Sequence, residues 1–296
     1  MSAAVISTSR LWPVAMLLVA MCSIQSGASL ATSLFPMVGA SGATAIRLLI
    51  ASALLLAILR PWRKPVTRKA WKSITIYGIA LGVMNLLFYQ AIQTVPLGIA
   101  VALEFTGPLA VALLSSRRWL DLGWVALAIL GLVLLLLLGE DTAAPIDPVG
   151  AAYALGAGVC WALYILFGQK AGAGNGTQSA ALGITIAAIV VAPIGLMEAG
   201  TAIFSLEVLP LALAVAVLST ALPYTLEMCA MPRLPTHTFG TLMSLEPAIA
   251  AVSGLLFLGQ ELGTLQWLAI GLVITASVGT TLTGKSRDII EAPVPD

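Results

Sequence analysis

Stretches of about 20 apolar residues, joined by short polar connections, recur along the whole chain and limit its fold more than any other feature. Each is long enough to cross a bilayer. In lipid the backbone amides of such a stretch must be satisfied within it, so each is expected to be helical. Ten are read from the sequence: 11–33, 42–60, 71–93, 97–115, 122–138, 149–169, 179–197, 207–229, 236–258 and 264–283. Charged residues make up 9% of the chain and hydrophobic ones 59%, against about 25% charged in a soluble domain. The fold class is therefore an all-α integral membrane protein, with the lipid bilayer as its first partner. A net charge of +1 offers nothing to nucleic acid. Cys22, Cys160 and Cys229 lie in or at the end of apolar runs and His237 stands alone, so no metal site is expected. The first run has no small-residue cleavage pattern and is read as a retained span.

Lysine and arginine set the orientation. With the N-terminus inside, 13 of the 14 basic residues fall on cytoplasmic segments, among them Arg60, Arg63, Lys64, Arg117, Arg118, Lys170 and Arg233. The remaining one, Arg47, lies within the second span. The outer connections carry Glu140, Asp141, Asp147, Glu198, Glu207 and Glu261 instead. Both termini are expected in the cytoplasm.

The chain also repeats itself. TVPLGIAVALEFTGPLAVALLS at 94–115 returns as LPTHTFGTLMSLEPAIAAVSGLL, with Pro96 opposite Pro235 and Pro108 opposite Pro247. Five spans per copy is an odd number, so the second copy enters the membrane from the other side. The expected organisation is two inverted five-helix repeats, 11–138 and 149–283, with a site near the midplane between them. Pro108 and Pro247 are expected to weaken their helices by removing a backbone hydrogen bond, Pro247 the one to Met243. With Gly98, Gly107 and Gly240 they are candidate hinges.

Polar residues inside apolar spans are costly and mark function by default. Gly78, Gly82, Asn85, Tyr89 and Gln93 share one face of the third span, small at one end and hydrogen-bonding at the other. Thr220, Tyr224 and Glu227 share a face of the eighth, and Trp161 and Tyr164 a face of the sixth. Counting helical rise, Glu246 lies about 15 Å deep, Glu104 about 10 Å and Arg47 about 8 Å below the outer surface. Arg47 and Glu104 are thus expected within reach of each other, as a salt bridge, a gate or a substrate clamp. Glu246, near the midplane, is the better candidate for coupling to protons. No Ser-His-Asp set, paired aspartates or phosphate-binding glycine loop is present, so the chain is not expected to be an enzyme and no cofactor is implied.

QTVPLGIAVALEFTGPLAVALLSSRR (93–118), LSTALPYTLEM (218–228) and RLPTHTFGTLMSLEPAIAAVSGLLFLGQEL (233–262) resemble the drug/metabolite transporter superfamily. Within it they resemble the EamA-type exporters, and most closely the threonine/homoserine exporter branch. The resemblance implies ten helices in two inverted bundles. It also implies a central cavity between the third, fourth, eighth and ninth spans, and efflux of amino acids and related metabolites across a bacterial inner membrane. The ninth span keeps the Glu-Pro of the family as Glu246-Pro247, whereas the fourth has Gly107-Pro108 with its carboxylate three residues earlier.

The expected function is secondary active export of amino acids by alternating access, by a monomer. A broad drug or metabolite exporter, a passive channel and a scaffold without transport are the alternatives. An amino acid carries both charges, so its site needs a cationic side, an acidic side and an aromatic wall. Arg47 and Glu104, or the broken backbone at Pro108 and Pro247, are candidates for the first two. Asn85, Tyr89, Trp161, Tyr164 and Tyr224 are candidates for the rest, and Glu246 counts among the substrate-binding residues.

Overall fold

A computed structural model describes residues 8–63, 66–115, 119–137, 146–230 and 242–283. Among the described residues the regular structure is helical throughout, with no strand. The α-helices are α1 (Thr8–Ala31), α2 (Phe35–Leu59), α3 (Arg68–Ala91), α4 (Leu97–Glu104), α5 (Thr106–Ser115), α6 (Trp119–Leu137), α7 (Pro148–Ala199), α8 (Val208–Ala216), α9 (Leu222–Ala230), α10 (Glu246–Leu258) and α11 (Thr264–Thr283). Local chemistry sets several of their ends. Thr67 caps α3 by accepting from the Ala70 amide at 3.3 Å. Asp147 caps α7 by accepting from Val149 and Gly150, with Pro148 in the first turn, where its missing N–H costs nothing.

Among the described residues, five helical stretches are long and apolar enough to cross a membrane: Trp12–Leu59, Ala70–Ala91, Pro148–Gly168, Gln178–Phe204 and Val208–Glu227. Shorter apolar helices cover Leu97–Val111, Gly123–Leu134, Glu246–Leu258 and Thr264–Gly279. The 48-residue first stretch is not one rod. It turns through Thr32–Leu34 and again at Gly39, whose φ of 70° lies in the left-handed region. A side chain at Gly39 would strike the Glu198 carboxylate, which accepts from the Ser41 amide at 3.2 Å.

Helix α7 also doubles back, although helical residues run unbroken through it. Gly168 and Gly183 both face the ring of Tyr77, from opposite edges. Fifteen residues of straight helix would hold them roughly 22 Å apart. The Ser179 hydroxyl donates to the Ala171 carbonyl at 2.7 Å, a contact that a straight helix also forbids. The two limbs, before and after this fold, pack on α3 and α2. Glycines allow the closeness: a methyl at Gly78 would lie 2.7 Å from the Gly183 carbonyl, and one at Gly82 3.1 Å from Ala187.

Every residue of α4 is buried, including Glu104 at its end. A helix apolar on all sides belongs in a core, and α4 packs between α10 and α7. Large apolar side chains instead cover the outside: Ile58, Val159, Ile189, Leu256 and Phe257 are more than half exposed. Buried polar residues, among them Gln25, Thr44, Arg47, Glu104, Thr220 and Glu246, sit inside. An apolar exterior around a polar interior is the arrangement that lipid, as solvent, selects.

Candidate functional site

Three helices bring their polar residues to one buried node. Arg47, on α2, is 4% exposed. Its Nη1 donates to Ser219 Oγ at 3.2 Å and to Thr220 Oγ1 at 3.1 Å, and its Nη2 donates to Asn85 Oδ1 on α3. The guanidinium lies 4.8 Å from the centre of the Tyr89 ring, a cation–π contact. Asn85 is itself oriented by donating to the Leu81 carbonyl at 2.8 Å. Arg47 Nε and the Tyr89 hydroxyl are buried without a hydrogen-bond partner. Asn85 and Tyr89 thus share a site, as their spacing predicts. Gly78 and Gly82, on the same face, do something else: they pack against the second limb of α7.

The expected pairing of Arg47 with Glu104 is corrected here. Arg47 is held by three neutral oxygens and an aromatic face, because the segment carrying Ser219 and Thr220 reaches it first. That segment is a widened turn, Val217–Ala221, in which the Leu222 amide bonds back five residues to Val217. Proline is its cause. Pro223 has no N–H to give Ser219, and its ring crowds the Ser219 carbonyl, so the helix opens by one residue. The Ser219 hydroxyl donates to the Val215 carbonyl at 2.7 Å, leaving its lone pairs for Arg47.

Both carboxylates flank a break in their helix. Glu104 is the last residue of α4, Phe105 intervenes, and α5 starts at Thr106. Glu246 is the first residue of α10, after a turn at Ser244 and Leu245. Pro247 is expected in the middle of the 236–258 span, at a weak point of its helix. It stands instead in the first turn of α10, a position proline favours. The N-terminus of that helix also favours the Glu246 carboxylate. Gln25 of α1 donates to Glu246 Oε1 at 3.2 Å, while Glu246 Oε2 has no partner. Glu104 and Glu246 lie within electrostatic reach of each other, as do Glu246 and Glu227.

The aromatic residues divide between two places. Trp161 meets Phe105, the residue at the α4–α5 break, edge to face at 5.6 Å. Tyr164 lies 4.9 Å from Tyr77, ring to ring. Tyr224 is within electrostatic reach of Tyr77, Glu227, Arg47 and Glu246, which ties the second of these places to the Arg47 node and to Glu246. The remaining candidates mark close crossings. A methyl at Gly98 would lie 2.6 Å from Cα of Ala251, and one at Gly107 would strike the Gly158 carbonyl. Gly158 in turn leaves room for the Glu104 carbonyl, which Pro108 leaves without its usual helical donor: a methyl there would lie 2.7 Å from it. Gly240, His237 and Pro235 lie outside the described residues.

A model of the EamA-like transporter family matches residues 148–282. The threonine/homoserine exporter RhtA of Escherichia coli (strain K12) is 58% identical over 279 residues, covering 94% of each chain. The chain belongs to the EamA-like transporter family. RhtA of Salmonella typhimurium (strain LT2) is 60% identical over 271 residues, 92% of each chain. More distant from this EamA-like protein is the uncharacterized transporter YwfM of Bacillus subtilis (strain 168), 26% identical over 262 residues, covering 84% of this chain and 86% of its own. One solved crystal structure aligns with a TM-score of 0.52 at 17% identity, over 93% of this chain and 99% of that one, a likeness of fold alone.

Gln25, Tyr77, Phe105 and Ser219 were not singled out from the sequence. Gln25 carried a usable signal: it is the one amide in the first apolar run, and lipid makes a lone amide costly. Ser219 carried another in the proline four residues later. Tyr77 and Phe105 carried none, since an aromatic residue in an apolar span is ordinary.

Proposed function

We propose that this protein is a multi-pass inner-membrane exporter that moves amino acids, including threonine- and homoserine-like ones, out of the cytoplasm by alternating access. One observation carries the substrate class: 58% identity across 94% of the chain to a protein named a threonine/homoserine exporter. The site is consistent with that cargo. A buried guanidinium held only by neutral acceptors keeps its positive charge available to a carboxylate. Asn85, Tyr89, Trp161, Tyr164 and Tyr224 supply hydrogen bonds and ring faces around the path. Glu104 and Glu246 supply its acidic side.

Ten crossings in two inverted repeats, 11–138 and 149–283, with both termini cytoplasmic, complete the proposal. The family match over 148–282 supports the second boundary. The bias of lysine and arginine among the connections supports the orientation. The two helix breaks, each beside a carboxylate and each followed within three residues by proline, support the pairing of the halves. Alternating access then rocks one repeat against the other around the central site, with protons as the coupling ion and Glu246 as the coupling group.

Counterflow in proteoliposomes tests the reading. Vesicles loaded with unlabelled threonine or homoserine should accumulate labelled threonine transiently, and Arg47→Met should lose that exchange. Absence of exchange for every amino acid tried would refute amino acid export. Unsaturable flux without counterflow would indicate a channel.

A further inference from the structure

Gln25 lies on α1 and is 2% exposed. Its amide is not free to turn. Nε2 donates to Glu246 Oε1 at 3.2 Å, and an ionised carboxylate only accepts, so the amide oxygen must face away from that bond. Gln25 Oε1 and Glu246 Oε2 are then both buried without a partner. Both are acceptors, and one hydrogen bond separates the groups that carry them. Leaving two such atoms bare is costly, which calls for a donor with more than one N–H.

Charge points the same way. Glu246 is 5% exposed, at the start of α10. Glu104 of α4 and Glu227 of α9 both lie within its electrostatic reach, as does the Tyr224 hydroxyl. Among the described residues the buried cation is Arg47, whose Nη1 and Nη2 are given to Ser219, Thr220 and Asn85. A buried cluster of carboxyl groups and unpartnered acceptor oxygens recognises a compact cation.

We propose that Gln25 and Glu246 form the subsite that receives the α-ammonium group of the exported amino acid, with Gln25 Oε1 and Glu246 Oε2 each accepting one of its N–H bonds. Gln25 is then a specificity-determining residue. It separates amino acids from hydroxy acids of the same shape, because a neutral hydroxyl has one proton for two acceptors and no charge for the carboxylate. The proposal rests on the amino acid reading above. The competing occupant is a proton on Glu246 Oε2, which would donate to Gln25 Oε1 and close an acid–amide ring.

The test pairs a substitution with a change of ligand in the full-length protein. Inhibition of threonine counterflow is measured with L-threonine and with its 2-hydroxy analogue, in the parent, Gln25→Leu and the near-isosteric Gln25→Met. The parent should prefer threonine by about tenfold or more, the scale of hydrogen bonds to a charged group. Both variants should lose most of that preference, by weakening threonine while leaving the analogue within about threefold. Equal weakening of both ligands would make Gln25 structural and overturn the proposal. So would a parent indifferent to the ammonium group, or variants that shift the pH profile with the preference intact. If the parent exchanges no amino acid at all, the underlying reading fails instead, and the two failures are distinguishable.

Discussion

The ring of Tyr77, held between Gly168 and Gly183, makes the folding-back of α7 testable. Tyr77 is 6% exposed, so it has little room to retreat. A methyl at Gly168 would lie 3.1 Å from Tyr77 Cδ2, a tight contact that a small ring movement relieves. A methyl at Gly183 would overlap Cε1 and Cδ1 on the other edge. Gly→Ala inside a helix is intrinsically favourable by roughly 0.5–1 kcal/mol. Gly168→Ala should therefore be close to neutral. Gly183→Ala has to push the ring towards Gly168, and overpacking of this kind costs about 1–3 kcal/mol. In the double variant neither edge can yield, so its cost should exceed the sum of the singles by about 0.5–3 kcal/mol. Thermal unfolding of purified protein in detergent reads this, at roughly 2–4 °C for each kcal/mol. Tyr77→Ala should abolish the penalty at both sites. Additive effects, or a neutral Gly183→Ala, would refute the shared ring and with it the two-limbed form of α7.

Pro108→Ala and Pro247→Ala should each bind substrate and export slowly, with crosslinks showing the two variants held towards opposite sides. Normal export by both at normal expression would remove the hinge proposal. A cysteine at position 143 should react with an impermeant reagent only from outside and one at 174 only from inside, and labelling of both from one side would end the inverted topology. Hydrogen bonds from the Thr94 hydroxyl at 2.8 Å and the Gly150 amide at 2.9 Å hold the Asp147 carboxyl below its ordinary range. Its contribution to stability is then present above the unfolded value, about 3.9, and is lost as pH falls through the lowered folded one. Asp147→Ala should melt lower than the parent at pH 7, and a gap that does not shrink below about pH 4 would mean the carboxylate charge plays no part.

Much of this molecule can be read from its sequence because lipid is an unforgiving solvent. Apolar runs announce helices, and Arg47, Asn85, Tyr89, Glu104 and Glu246 stand out as groups that hydrocarbon will not tolerate alone. What they bind does not follow from where they stand along the chain. The depths of Arg47 and Glu104 matched, yet Arg47 turned to Ser219 and Thr220, because depth fixes height and leaves the direction of a side chain around its helix open. The place of the break beside Pro247 is left open by the sequence for a related reason. A proline is compatible with the middle of a kinked helix and with the first turn of a new one, and its spacing along the chain does not choose between them. Gln25 carries neither a charge nor a ring, so a lone amide stands out less in an apolar run than the groups around it in the site.

The widened turn at Val217–Ala221 bears on how such a protein tolerates change over generations. Loss of one residue from an ordinary membrane helix swings everything beyond it by about 100° and scrambles its packing. Here the turn already holds one residue more than an α-helix needs, so a deletion within it would be absorbed, with the helix beyond returning to regular register. The casualty would be local. Ser219 and Thr220 both accept from the same Arg47 nitrogen only because the extra residue brings neighbouring hydroxyls to one side. A shortened descendant would insert, fold and persist while gripping that arginine with one hydroxyl where this one uses two. Length variation at this point is therefore a route by which close relatives could drift in what they carry without passing through a misfolded ancestor.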